Sequence, residues 1–345
     1  MRLLKKVILF PFMLIILLVG FIYGYIQWSA RDFTDAEIAQ IRSAINEPLT
    51  EMAGEEGYAM NSGVRIWYDV HPPRDTVKGS VLLIMGLSAD ALIWPDHIYQ
   101  PLVDSGYQVI RMDNRGVGNS DWDAFDPDDP YTLSDMAQDA IAVLDTLGIE
   151  TVHVVGASMG GMIGQTLCIE HPERVSSLTS IMSTAWPDDP DMPAIDLYVF
   201  KLIGINTIKY GLSGEIEDAV KLRIAIRELL MGAEKYELDI GSISQLTRYN
   251  MEKRSGYNQR SGMQQSKAIE LSGSRIEALK KLDIPTLVIH GKTDPLIPFE
   301  HGEKTAQLIP NAETLYIDGM GHTLPKMYSD TIVSRMLGLM RRSSY

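Results

Sequence analysis

The stretch from Thr151 to Gly161 constrains the fold more than any other part of the chain. An apolar, β-branched run stops at Gly156, a G-x-S-x-G pattern centred on Ser158 follows, and a helix-like run continues to about Glu170. This pattern, placed after a strand and before a helix, predicts a sharp turn that holds the serine at positive φ and exposes its hydroxyl above the sheet. Gly156 and Gly160 would leave room where the strand and the helix approach each other. Ser158 is therefore the candidate nucleophile.

Apolar strands alternate with helices on both sides of this turn. Continuous apolar strands separated by helices predict a mostly parallel sheet covered on both faces. The alternation is interrupted by a proline-rich segment and a helical stretch, which predicts a helical cap at about residues 187–264 within an α/β domain at 57–345. The predicted elements are a hairpin at 58–70, strands at Ser80–Met85, Tyr107–Met112, Thr151–Gly156, Val175–Met182, Pro285–His290 and Glu313–Ile317, and helices at Pro95–Ser105, Thr132–Leu147, Phe299–Leu308 and Tyr328–Arg341.

The N-terminal residues predict a membrane anchor. Three basic residues, Arg2, Lys5 and Lys6, precede an uncharged run at 7–30. As a helix this run would span roughly 36 Å, enough for a hydrocarbon core of about 30 Å. We therefore expect a single transmembrane helix within residues 1–30, with a cytoplasmic N-terminus and the remainder on the periplasmic or extracytoplasmic side. A cleaved signal peptide and a secreted protein are the alternative. A capping box at Thr34 predicts a juxtamembrane helix within a linker at 31–56.

Composition excludes several classes of function. The net charge of −14 argues against nucleic acid as a partner, because phosphates require a basic surface. It also argues against electrostatic docking on an anionic membrane. The single cysteine, Cys168, allows no intramolecular disulfide and is predicted to be a small buried residue. No Cys/His cluster has zinc spacing, and the aspartates at 126–129 do not match a calcium loop, so we expect neither a metal nor a cofactor.

A serine hydroxyl needs a base to accept its proton and an acid to orient that base. His322 follows the last predicted strand in a glycine-rich loop and is the candidate base, while Asp294 follows the preceding strand and is the candidate acid. The order serine, aspartate, histidine is typical of hydrolases built on this turn. The alternative acids lie in the proline-rich segment after the strand that ends at Met182 and are interpreted as solvated: Asp188, Asp189 and Asp191.

The oxyanion of such a reaction must be held by backbone N–H groups. One donor is expected at Met159, directly after the nucleophile, and the other at Leu87, where Gly86 would allow a close approach of the backbone. A second glycine-rich loop, residues 113–120, lacks the spacing of a phosphate loop. It is predicted to be a turn in which Asp113 and Arg115 brace neighbouring loops.

From about residue 57 to 341 the chain resembles the α/β-hydrolase fold superfamily. Its branch with aclacinomycin methylesterase-type carboxylesterases is the most similar. Many members have His-Gly in place of Met85-Gly86, and Ser88 stands where that branch often has glycine, but the backbone donor would be the same. Dehalogenases and epoxide hydrolases of the superfamily use an aspartate nucleophile, against which Ser158 argues. The resemblance rests on Met85-Gly86-Leu87, Asp113-x-Arg115-Gly-x-Gly-x-Ser120, Gly156-Ala-Ser-Met-Gly160, His171-Pro-Glu-Arg-Val175, Gly291-x-x-Asp294-Pro-Leu-Ile-Pro298 and Gly319-Met-Gly-His322.

Together these features predict a membrane-tethered serine hydrolase that cleaves small carboxylic esters through an acyl-enzyme. The helical cap is expected to form a lid over Ser158, and its Ile, Leu and Met content favours an apolar acyl or alcohol group. A lipase, a lactonase, a thioesterase or a carbon–carbon bond hydrolase could use the same residues. A ligand-binding member of the fold without turnover is the alternative from another class. The sequence leaves the substrate and the oligomeric state open.

Overall fold

A single eight-stranded sheet organises the computed structural model, which describes residues 19–343. Its strand order is β1-β2-β4-β3-β5-β6-β7-β8. The six strands from β3 to β8 run parallel, and the hairpin of β1 and β2 joins β4 in antiparallel fashion. The predicted, mostly parallel sheet is confirmed. The strands are β1 Glu55–Asn61, β2 Val64–His71, β3 Gly79–Ile84, β4 Tyr107–Met112, β5 Val152–Ala157, β6 Val175–Ile181, β7 Thr286–Gly291 and β8 Glu313–Ile317.

Helices cover both faces of this sheet, because successive side chains of a strand point to opposite faces and both sets are apolar here. In β3, Val81 and Leu83 belong to the core on one face, while Leu82 and Ile84 belong to the core on the other. All four side chains are fully buried. The labelled helices are α1 Asp35–Asn46, α2 Asp96–Asp104, α3 Leu133–Thr146, α4 Met159–Glu170, α5 Leu197–Tyr210, α6 Ile216–Leu229, α7 Ile240–Lys253, α8 Ser261–Ser272, α9 Ile276–Leu279, α10 Phe299–Leu308 and α11 Ser329–Arg342.

The two cores use different helices. Met136 of α3 and Ile163 of α4 pack in the core that includes Leu82, whereas Ile98 of α2 and Met336 of α11 pack in the other. Cys168 lies in α4 and is fully buried, as predicted. Burial raises the pKa of its thiol. The helix that follows the candidate nucleophile is thus fixed by close packing on the sheet.

The chain divides into two compact units. The larger contains the sheet and comprises residues 49–196, 230–237 and the described residues from 249 onward. The smaller comprises the described residues before 49 together with 197–229 and 238–248, and its core is formed by Ile41, Val220, Ile224 and Ile243. Residues 249–264 therefore group with the sheet. The predicted division into a linker, an α/β domain and a cap at about 187–264 stays a prediction.

Half of the predicted anchor lies outside the described part of the chain, because the run at 7–30 is described only from residue 19. Residues 19–29 are helical. Among residues 19–343, no helix combines the length and the apolar composition that crossing a bilayer requires. The capping box predicted for α1 is confirmed: the Thr34 side chain accepts from the Glu37 N–H, and the Glu37 carboxylate accepts from the Thr34 N–H.

Candidate active site

Ser158 lies between the end of β5 and the start of α4. Its backbone has φ 56° and ψ −122°, a conformation that costs a non-glycine residue free energy and persists only where the surroundings enforce it. The surroundings here include the Ser158 N–H, which donates to the Ile181 carbonyl of β6 at 2.8 Å. The positive φ predicted from the G-x-S-x-G pattern is therefore confirmed.

The two glycines of the pattern are required by close contacts between strand and helix. A Cβ atom on Gly156 would lie 2.1 Å from the Gly160 carbonyl oxygen, and one on Gly160 would lie 2.0 Å from the Ile84 carbonyl oxygen. Both distances are far below van der Waals contact, and the obstructing atoms are backbone. Any larger residue at either position would therefore force α4 away from β5 and β3.

The loop after β3 passes directly beside the candidate nucleophile. A Cβ atom on Gly86 would lie 2.9 Å from Ser158 Cβ and 3.4 Å from Ser158 Oγ. Within residues 19–343, neither the Leu87 N–H nor the Met159 N–H donates to another protein group. Met159 is the first residue of α4, where N–H groups lack intrahelical partners and the helix dipole favours negative charge. Both N–H groups remain available to an oxyanion.

The candidate acid and base lie side by side. Asp294 follows β7, His322 follows β8, and these neighbouring strands end at the same edge of the sheet. The His322 Nδ1 atom is 2.7 Å from Asp294 Oδ2, and both residues are buried, with exposed fractions of 8% and 9%. An ionised carboxylate only accepts, so Nδ1 carries the proton and Nε2 keeps its lone pair. In this tautomer His322 can act as a base.

The surroundings of Asp294 favour its ionised form. Burial opposes ionisation, but the charge interaction and the hydrogen bond with His322 outweigh it and hold the pKa of Asp294 below its usual range. Its Oδ1 accepts from the backbone N–H groups of Leu296 and Ile297 at 2.8 and 2.9 Å. The buried His290 of β7 lies 3.5 Å from Oδ2, and burial lowers its pKa, which favours the neutral imidazole.

Residues 230–237 contain no recognisable motif, but they support the loops that carry His322 and Asp294. The His322 N–H donates to the Leu230 carbonyl at 2.8 Å, and the Ala233 N–H donates to Thr293 Oγ1 at 2.9 Å. Thr293 Oγ1 in turn donates to the Met320 carbonyl at 3.1 Å. Sequence reasoning missed this segment because its contribution consists of backbone groups, which leave no residue-type signature.

The loop at 113–120 braces its neighbours, as predicted. Asp113 is fully buried, accepts from the Ala91 N–H at 2.8 Å and pairs with Arg254. Arg115 forms two hydrogen bonds of 2.6 Å with the buried Asp139. Arg254 was not anticipated, because it lies 141 residues from its partner in a stretch assigned to the cap.

One prediction about the alternative acids is wrong. Asp189 is not solvated: it is 7% exposed, and Lys304 Nζ lies 2.6 Å from its carboxylate. The hydrogen bond with Lys304 lowers the pKa of Asp189. The carboxylate is thus committed to a lysine of α10, whereas Asp294 contacts His322. In the described chain, no group of three or more His, Cys, Asp or Glu residues is arranged to hold a metal ion.

The chain is similar in sequence to known hydrolases. The family model described as alpha/beta hydrolase fold matches residues 79–325. The rhodomycin D methylesterase DauP of Streptomyces sp. (strain C5) is 28% identical over 263 residues, which cover 73% of this chain and 87% of that protein.

Two solved structures show the similarity of fold. The esterase EaEST from Exiguobacterium antarcticum aligns with a TM-score of 0.63 at 22% identity and covers 85% of this chain and 100% of its own. A membrane phospholipase A described as a bacterial virulence factor aligns with a TM-score of 0.61 at 20% identity and covers 98% and 99%. At these identities the structures establish the architecture and not the substrate.

Proposed function

The chain belongs to the α/β-hydrolase fold family and is a hydrolytic enzyme, and we propose that it cleaves carboxylic esters with Ser158 as nucleophile, His322 as base and Asp294 as orienting acid. The observation that carries the proposal is the 2.7 Å contact between His322 Nδ1 and Asp294 Oδ2. It fixes the tautomer in which Nε2 can take a proton from a serine.

The reaction follows from these roles. Ser158 Oγ attacks the acyl carbon while His322 Nε2 takes its proton. The negative charge on the carbonyl oxygen is stabilised by the N–H groups of Leu87 and Met159. Asp294 stabilises the imidazolium of His322. The imidazolium protonates the leaving alcohol and an acyl-enzyme remains. Water then gives a proton to His322 as it attacks the acyl carbon. The imidazolium returns this proton to Ser158 Oγ as the bond between Oγ and the acyl carbon breaks, which releases the acid and restores the free serine.

The substrate class is a small ester with an apolar acyl or alcohol group. The names of the related methylesterase and of the structurally similar esterase support an ester. A panel of p-nitrophenyl esters of increasing acyl length, assayed beside a thioester and a lactone, tests this choice. Turnover of the thioester or the lactone alone would contradict it.

The nucleophile is tested with a matched pair of serine variants of the full chain. Ser158→Ala is expected to abolish ester turnover and labelling by a fluorophosphonate probe. Ser183 is a suitable control, because it is 3% exposed, lies beside Gly161 of α4 and makes no side-chain hydrogen bond within the described residues. Ser183→Ala should retain both properties. Full turnover in Ser158→Ala would refute the proposal.

We also propose that residues 7–30 tether the enzyme to a bilayer, with a cytoplasmic N-terminus and the catalytic unit on the extracytoplasmic side. The uncharged run supports this, as do the exposed aromatic side chains of Phe21, Tyr23 and Trp28. The similarity to the membrane phospholipase A extends over 98% of this chain.

Membrane fractionation with a carbonate wash should leave the enzyme in the pellet, and protease added to intact spheroplasts should digest it. N-terminal sequencing of the mature protein tests the alternative of a secreted enzyme, because a new N-terminus near Ala30 would show cleavage. Release by carbonate would contradict the tether.

A further inference from the structure

The loop that carries the proposed donor Leu87 is held at both ends by side chains from elsewhere in the chain. We call residues 85–88 the oxyanion loop. Asn114 Nδ2 donates to the Met85 carbonyl at 2.8 Å, and the Ser88 N–H donates to Gln265 Oε1 at 2.7 Å. Asn114 and Gln265 are both buried, with exposed fractions of 1% and 0%.

These two hydrogen bonds constrain the peptide group between them. Each peptide unit is planar, so a bond to its carbonyl or to its N–H orients the whole unit. Asn114 orients the unit from Met85 to Gly86, and Gln265 orients the unit from Leu87 to Ser88. The Leu87 N–H belongs to the intervening unit. The Gly86 carbonyl of this unit accepts from the Ala89 N–H at 3.2 Å, so this turn and the two flanking units together set the direction of the Leu87 N–H.

One face of α8 fits the oxyanion loop closely. Ser261 and Gln265 are four residues apart and lie on the same side of the helix. Ser261 Oγ donates to the Asn258 carbonyl at 2.8 Å and lies within hydrogen-bond distance of Ser88 Oγ, at 3.0 Å. A Cβ on Gly262 would lie 3.1 Å from Ser88 Oγ. Gln265 Nε2 also donates to the Arg115 carbonyl at 3.0 Å, which fixes the orientation of its amide.

Ser88 requires this support because its φ is 59°, a left-handed conformation that is unfavourable for serine. Since its N–H is already bonded to Gln265, it is not available to an oxyanion. The bond thus selects Leu87 as the donor on this side of the site.

We propose that Gln265 is a positioning residue for the oxyanion hole: through the Ser88 N–H it aims the Leu87 N–H at the carbonyl oxygen of the substrate. The inference rests on the proposed esterase function. It predicts that loss of the Gln265 amide weakens transition-state stabilisation and leaves substrate binding nearly unchanged, because the oxyanion forms only during the reaction.

Three variants of the full chain test this. Gln265→Leu removes both hydrogen bonds of the amide. Gln265→Glu keeps an acceptor for the Ser88 N–H but loses the donor to Arg115. Gln264→Leu is the matched control, because Gln264 is the neighbouring residue on α8, is 4% exposed and accepts from Asn258 Nδ2 at 3.4 Å.

Active sites are counted with a fluorophosphonate, so that unfolded protein does not enter kcat. Gln265→Leu is expected to lower kcat per site by about 10- to 100-fold with KM nearly unchanged. Its affinity for a boronic acid, which forms a tetrahedral adduct, should fall in parallel with kcat/KM. Gln265→Glu should lose less of its kcat per site than Gln265→Leu. The ratio of its kcat to that of the wild type should rise at lower pH, because a protonated carboxyl can again donate to the Arg115 carbonyl.

An unchanged kcat per site in Gln265→Leu, or an equal loss in Gln264→Leu, would overturn the proposal. If Gln265→Leu does not fold, the test rests on Gln265→Glu. A loss of kcat, relative to the wild type, that does not change with pH would then count against a positioning role for Gln265. An inactive wild type, or full activity in Ser158→Ala, would instead refute the proposed function.

Discussion

Replacing Gly86 by alanine adds one methyl group beside the candidate nucleophile. The new Cβ would lie 2.9 Å from Ser158 Cβ and 3.3 Å from the Ala157 carbonyl oxygen. Optimal separations between non-bonded carbons are about 3.5–4.0 Å. The oxyanion loop must therefore move by roughly 0.6–1.1 Å, since the turn that contains Ser158 is held by backbone contacts at Gly156 and Gly160.

The expected cost is much larger for catalysis than for stability. Overpacking by one methyl group destabilises a protein by about 1–3 kcal/mol. A displacement of about 1 Å between reacting groups can lower the rate about 100-fold. We therefore expect kcat to fall by about 10- to 100-fold in a variant that remains folded.

The assay is kcat for an activated ester, divided by active sites titrated with a fluorophosphonate, alongside thermal unfolding. Gly79→Ala is the matched control, because Gly79 begins β3, whose other end leads to Gly86, and its added Cβ would make ordinary contacts at 3.6 Å or more. Wild-type kcat per site in Gly86→Ala would refute the placement of this loop as part of the catalytic machinery.

Three further predictions concern buried groups. Asp294→Asn presents an amide to His322, favours the wrong tautomer and should lower kcat by about 10⁴-fold, whereas a loss below 10-fold in a steady-state assay would contradict the assigned role. Burial opposes ionisation of Asp69, but its hydrogen bond with His71 and its pairing with Arg111 lower its pKa from 3.8 to about 2. The lowered pKa stabilises the fold by about 2 kcal/mol above about pH 4, and this stabilisation is lost as the pH falls from about 4 to 2. Denaturant titrations across this pH range should therefore show a smaller loss of stability for Asp69→Asn than for the wild type, and parallel curves would argue against the assigned role. Cys168 should react with a thiol reagent only upon unfolding, and rapid labelling of the native enzyme would contradict its complete burial.

The elements of the candidate site that were predictable depend on short stretches of sequence. Ser158, Asp294 and His322 each follow a strand whose apolar residues are visible in the sequence, and parallel strands bring their carboxyl ends to one edge of a sheet. The glycines at 156 and 160 predicted the sharp turn that holds Ser158 at positive φ, because a Cβ atom at either position would overlap neighbouring backbone atoms.

Other features were missed because their partners lie far away in the chain. Gln265 contacts Ser88 across 177 residues, and nothing near either residue marks them as a pair. Asp189 was interpreted as solvated from its proline-rich surroundings, but Lys304 of α10 reaches it and makes its burial tolerable. Local composition predicts exposure only when no distant residue supplies a counter-charge.

The sequence by itself determined the strand-turn-helix at Ser158, the order of the candidate nucleophile, acid and base, and the membership of an α/β-hydrolase fold, because these follow from periodicity, glycine placement and chain order. The tertiary structure alone decided which groups hold that site in place. The Leu230 carbonyl supports His322, and Gln265 supports the oxyanion loop, through single hydrogen bonds between distant segments. Whether such a bond forms depends on differences of a few tenths of an ångström in atomic position, which only the packed structure defines.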